Sequence, residues 1–154
     1  MGQKLTPHQA LVKVQKYCAY QERCHLEVRN KLYDLGLYKS DVEETIVSLI
    51  QDDFLNEQRF AEAFARGKFR IKKWGKIKII SELNKRHISE YCKNKGLAQI
   101  DDDEYLETLS EVLARRERQE NEINPFRRKQ KLTTYLISRG FESHLIWELL
   151  NGDS

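Results

Sequence analysis

The sequence predicts an all-α protein built from three tandem three-helix repeats, about nine helices, stacked into an elongated curved array. Three observations predict it. Prolines and glycines are scarce, two and seven in 154 residues, which favours helices over turn-rich β architectures. Charged residues make up 33% against 40% hydrophobic, a balance suited to thin helical layers with much solvated surface. A helix-stop pattern also recurs three times, at a spacing characteristic of helical arrays.

The three stops are Leu32-Tyr-Asp-Leu-Gly36-Leu37, Leu83-Asn-Lys-Arg-His87-Ile88 and Leu136-Ile-Ser-Arg-Gly140-Phe141. Their fifth residues lie 51 and 53 positions apart. A helix often ends on a left-handed residue, best filled by glycine, and the next side chain folds back on the residue five places earlier. That pairs Leu32 with Leu37, Leu83 with Ile88 and Leu136 with Phe141. His87 stands where glycine is expected, at some conformational cost.

Each stop has helices on either side. Thr6-Pro7-His8-Gln9 supplies a cap, a proline at the first helical position and a capping-box glutamine. The first stripe is then Leu11, Val14 and Cys18. Ser40 with Glu43 reads as a capping box for the third helix, closed by Val42 and Ile46. Asn56 caps a second unit with the stripe Phe60, Phe64 and Ile71, beside the small residues Ala61, Ala65 and Gly67. Ser89 caps its last helix, where Lys93 occupies an apolar position and Gly96 weakens the helix. A long helix runs from about Asp103 to Asn121 with Tyr105, Leu106, Leu109, Val112 and Leu113. Asn124-Pro125 caps and starts the next, and Ser143 the last, closed by Ile146 and Leu150. The repeats are residues 5–50, 54–100 and 101–151. Phe60, Phe64, Phe69, Leu83 and Trp147 are expected in packing.

Charge is the second guide. The net charge is only +3. From Arg66 to Arg86, however, the basic residues Arg66, Lys68, Arg70, Lys72, Lys73, Lys76, Lys78, Lys85 and Arg86 are opposed by Glu82 alone. Residues 101–122 reverse the balance. A basic centre and an acidic flank can hold a polyanion on one surface and a basic partner on another. Arg59, Arg66, Arg70 and Lys73 step by seven, four and three, which places them on one helical face, as a phosphate row requires. The bland alternative is a solvated helix face. Trp74, beside Gly75, either stacks on an exposed base with Lys72, Lys73 and Lys76 on phosphates or plugs a seam between repeats. The run Arg127, Arg128, Lys129 and Lys131 either extends the surface or complements the acidic helix.

Other classes find little support. Cys18, Cys24 and Cys92 have neither disulfide-framework nor metal spacing. The acids Asp101 to Glu104 lack the ligand alternation of a calcium loop and suit a helix start. No phosphate-binding glycine loop and no nucleophile with a partner base is present, so no cofactor, metal or enzymatic site is expected. No signal-peptide core or membrane-length apolar run is visible, so a cytoplasmic protein without membrane contact is expected.

The run Asp52-Asp-Phe-Leu-Asn-Glu-Gln-Arg-Phe60-Ala-Glu-Ala-Phe-Ala-Arg66, continued by Lys73-Trp74-Gly75-Lys76-Ile77-Lys-Ile-Ile80-Ser-Glu-Leu83, resembles the central signature of RecX regulatory proteins. The resemblance extends over nearly the whole chain. It implies a non-enzymatic regulator of DNA repair, homologous recombination and the SOS response. Such a protein binds RecA filaments on single-stranded DNA, with double-stranded DNA as a second candidate ligand. It restrains recombinase, ATPase and coprotease activities. The free protein is expected to be a monomer. The RecA and DNA contacts would fall among Arg59, Arg66, Arg70, Lys72, Lys73, Trp74, Lys76, Lys78, Lys85, Arg86, Arg127, Arg128 and Lys131. The rival reading is a nucleic-acid-binding protein that needs no RecA.

Overall fold

A computed structural model describes residues 5–152. Helices α1 (Pro7–Tyr20), α2 (His25–Asp34), α3 (Lys39–Gln51), α4 (Glu57–Arg70), α5 (Lys76–Lys85), α6 (Glu90–Leu97), α7 (Asp102–Gln119), α8 (Pro125–Ser138) and α9 (Ser143–Asn151) account for nearly all of the described chain. No strand occurs among the described residues.

The recurring stop has the expected mechanics. Gly36, His87 and Gly140 have φ of 93°, 58° and 100°. The Leu37, Ile88 and Phe141 N–H groups donate to the Leu32, Leu83 and Leu136 carbonyls at 3.3, 3.2 and 3.2 Å. The preceding N–H in each case reaches back three residues, to Tyr33, Asn84 and Ile137. This is the Schellman closure, and all six apolar partners are buried. Exposed His87 holds the left-handed geometry without glycine's freedom. His87→Gly is therefore expected to stabilise the protein by about 1 kcal/mol, read as a higher thermal midpoint.

The remaining boundaries follow local chemistry, with corrections. Thr6 and Gln9 form the reciprocal capping box that starts α1. Asn56, Ser89 and Asn124 side chains accept from Arg59, Cys92 and Arg127 N–H groups as caps. Ser40 and Ser143 are not caps: α3 begins two residues and α9 one residue earlier than that reading requires, with Tyr38 and Glu142 at the cap positions. Helix α4 ends at Arg70, so Ile71 leaves the apolar stripe and is 78% exposed, while Phe69 takes the buried place. Leu106 and Trp147 are also exposed rather than packed.

The chain forms two compact units that alternate along the sequence. The first holds the described residues up to Phe64 together with Leu83–Gly96; the second holds Ala65–Glu82 and the chain from Leu97 on. In the first unit α1, α2 and α3 close over Ala10, Val14, Val28, Leu32, Val42, Ile46 and Leu49. Gly96 of α6 has a packing role there. A Cβ at this position would stand 2.7 Å from the Ala61 carbonyl oxygen, so the missing side chain lets α6 lie against the α4 backbone. Buried Lys93 is neutralised locally, its ammonium donating to Asn84 and Glu90. Cys24 is fully buried, and burial pushes its thiol up to about 11, which leaves it unreactive at neutral pH.

In the second unit α8 packs against α7 and α9, and Tyr105 of α7 and the stop of α8 meet the end of α4 and the start of α5. Phe69, Tyr105 and Phe141 stack in a tilted series with ring centroids 5.8 and 5.5 Å apart. Leu109, Leu132, Leu136 and Ile146 complete that core.

Candidate functional site: the basic turn between α4 and α5

The turn from Ile71 to Gly75 carries the adjacent cations Lys72 and Lys73, and its shape is set by backbone contacts. Lys73 adopts φ 58° and closes α4, its N–H donating to the Phe69 carbonyl at 3.1 Å. It is therefore off the helix, and the predicted four-residue row ends at Arg70. Gly75 then meets the end of α8. Its N–H donates to the Arg139 carbonyl at 2.8 Å and the Ile77 N–H to the Gly140 carbonyl at 3.0 Å. The free N–H groups at the start of α5 thus satisfy carbonyls at the stop of α8, where each helix end would otherwise be left unpaired. A Cβ on Gly75 would lie 2.2 Å from the Gly140 carbonyl carbon, so no side chain fits. The Arg139 guanidinium also donates to the Lys72 carbonyl.

Tyr105 braces the same turn from α7. It is 3% exposed; its hydroxyl accepts the Lys76 N–H at 2.9 Å and donates to Glu142. Burial pushes its ionisation far above the ordinary phenol range, and the Glu142 carboxylate adds to the rise. Tyr105→Phe removes both bonds while preserving the ring, and is expected to cost about 1–3 kcal/mol by leaving the Lys76 N–H and Glu142 without partners. Denaturant unfolding measures it.

The predicted cations divide by what they already touch. Lys72 and Lys73 are exposed, and neither has an ion-pair partner among the described residues. Trp74 is half-buried, with the Lys68 and Lys78 ammonium groups 5.1 and 4.7 Å from its ring centroid. Arg70 lies 3.8 Å from Glu104 and stays 59% exposed, a weak surface pair. Lys76 sits over the Tyr105 ring and 3.6 Å from Asp102, and Arg66 donates to Gln99.

Others hold the fold together. In the first unit, Arg59 bonds Glu22 at 2.6 Å, the Asp53 carboxylate at 3.1 Å and the Asp53 carbonyl. Arg86 covers Phe64 at 4.9 Å. Lys85 is exposed at the end of α5 in that unit. In the second unit, Arg128 caps α7 by donating to the Glu117 and Glu120 carbonyls, and Lys131 lies 3.5 Å from Glu122. Two cations of the second basic run therefore complement the acidic helix, as one of its two readings proposed. Arg127 is exposed. It stands near the start of α8, roughly 18 Å along the axis from the Gly75 contact at the far end.

The α4–turn–α5 segment and the helices that support it also match known proteins. Residues 56–97 match the description "RecX, second three-helix domain" and residues 102–150 "RecX, third three-helix domain". A Regulatory protein RecX of Thermotoga maritima is 32% identical over 136 residues, covering 86% of this chain and 76% of that protein. The chain belongs to the RecX family. A RecX from Prosthecochloris aestuarii is 26% identical over 92% of this chain and 91% of its own length. Others are longer: the chain spans 59% of the Clostridium acetobutylicum RecX, at 30% identity, and 50% of the Lactobacillus johnsonii one. Two crystal structures share the fold. A regulatory protein RecX superposes with a TM-score of 0.85 at 20% identity, over 96% of this chain and 73% of that one. RecX from Lactobacillus salivarius gives 0.77 at 24%, over 95% of each. The His87 stop, the basic turn and the Gly75 contact thus lie within the segment matching the second RecX domain, and Tyr105 and Gly140 within the third.

Among the described residues no helix is long and apolar enough to cross a membrane, and no three His, Cys, Asp or Glu side chains are grouped to hold a metal.

Proposed function

We propose that this RecX-family protein binds RecA filaments on single-stranded DNA. There it restrains RecA's strand exchange, ATP turnover and coprotease activity by contact, without chemistry of its own. The observation that carries the reading is the fixed basic turn. Its backbone is clamped at Gly75, and Lys72 and Lys73 are left exposed without ion-pair partners among the described residues. Two cations on a held backbone lose little backbone entropy on binding, and suit acidic protein surface or phosphate. Family membership supplies RecA as the partner.

The repeats at 5–50, 54–100 and 101–151 are proposed as the family's three modules, and a monomeric, cytoplasmic protein is part of the same reading. Co-sedimentation with RecA filaments assembled on single-stranded DNA tests it. The protein is expected in the pellet with the filaments and in the supernatant with free RecA. Recovery with bare single-stranded DNA together with exclusion from RecA-coated filaments would move the assignment to a nucleic-acid-binding protein that needs no RecA.

A further inference from the structure

A second surface of the same unit is left unexplained by the basic turn. Helices α8 and α9 enclose an open groove of about 1440 Å³ beside the end of α7. Its aromatic residues are exposed rather than packed: Phe126 is 70% and Trp147 64% accessible. Its third ring, Tyr135, is already covered by the Arg116 guanidinium at 4.3 Å. Arg127, Lys129 and Lys131 add cations to the lining, against one carboxylate, Glu120. Thr133, Thr134 and Ser138 add hydroxyls to the lining.

Exposed rings interleaved with cations and hydroxyls match one ligand chemistry best. An amphipathic helix would want aliphatic pockets, and among the lining residues only Leu150 is aliphatic. A single strand of nucleic acid presents what the groove lacks, negative charge and flat π-faces, and such strands are bound by stacking platforms within cationic channels.

We propose that the α8–α9 groove holds a short stretch of single-stranded nucleic acid, with an unpaired base stacked on Trp147, a second on Phe126 and phosphates beside Arg127 and Lys129. The site needs no RecA, and its phosphate contacts Arg127 and Lys129 lie near the start of α8, the opposite end of that helix from the Gly75 contact. Duplex DNA keeps its base faces stacked internally and cannot use the two rings, so the groove selects unpaired strands.

The test is fluorescence anisotropy of a dye-labelled oligothymidylate with the intact chain at fixed salt. Trp147→Ala is expected to weaken binding roughly tenfold and Trp147→Phe to restore most of it. A labelled duplex of the same length should bind Trp147→Ala and the wild type alike. Because Trp147 is exposed, helicity and thermal midpoint should not change. Equal oligothymidylate affinity for wild type and Trp147→Ala would overturn the proposal, as would polyglutamate competing as well as unlabelled oligothymidylate, which would make the groove a face for acidic protein. Lys72→Glu/Lys73→Glu, which alters the basic turn alone, should leave the tryptophan dependence intact. This result separates failure of the groove from failure of the RecA reading.

Discussion

Gly75→Ala is expected to lower stability by about 3 kcal/mol and the thermal midpoint by about 10 °C. The added methyl would sit 2.2 Å from one Gly140 backbone atom and 2.4 Å from the Phe141 nitrogen, neither of which can rotate away. The α5 start must then withdraw from the α8 stop. That breaks the Gly75–Arg139 and Ile77–Gly140 hydrogen bonds, each contributing about 1 kcal/mol. Overpacking against backbone adds the rest. Gly67→Ala provides the matching control. It lies inside α4 with nothing within 4 Å of the new methyl, so the same change should stabilise by roughly 0.5–1 kcal/mol through helix propensity. Calorimetry of the two variants beside the wild type measures both. Similar midpoints for both would show that the turn is not clamped as described.

Reversing the charge of the turn should act on function instead. Lys72→Glu/Lys73→Glu is expected to raise the concentration needed for half-inhibition of RecA roughly tenfold or more, because unlike-charge contacts become repulsive. Folding should be little affected, since neither lysine has an ion-pair partner to lose among the described residues. The wild-type effect should also weaken as salt rises, and the variant's much less. Arg59→Glu reads out differently. It removes the bonds to Glu22 and Asp53 and sets three carboxylates together, so loss of stability should dominate.

These contrasts mark how far the sequence could be read. The three helix stops were legible because a Schellman ending joins a backbone requirement to an apolar pair, and both leave a residue signature. Even His87 could be placed, since the pattern around it is intact. The site was less legible. Helical spacing put Lys73 in a row with Arg59, Arg66 and Arg70, but a lysine at φ 58° carries no sign of the helix end at Arg70. Spacing also cannot show that Arg59 is held by Glu22, 37 residues away, or that Arg128 caps α7. The Gly75–Gly140 contact was hidden for the same reason. Each glycine could be noticed alone, but only the fold brings them into contact. Trp147 resembles a core residue in composition, and its exposure depends on where α9 lies against α8.

The reading stands on the RecA filament as target. Single-stranded-DNA-dependent ATP hydrolysis by RecA, titrated with this protein at fixed salt, tests that most directly. The expected result is inhibition complete well below one molecule per RecA, relieved by Lys72→Glu/Lys73→Glu. An unchanged hydrolysis rate at excess protein, with the protein still bound to the DNA alone, would contradict it.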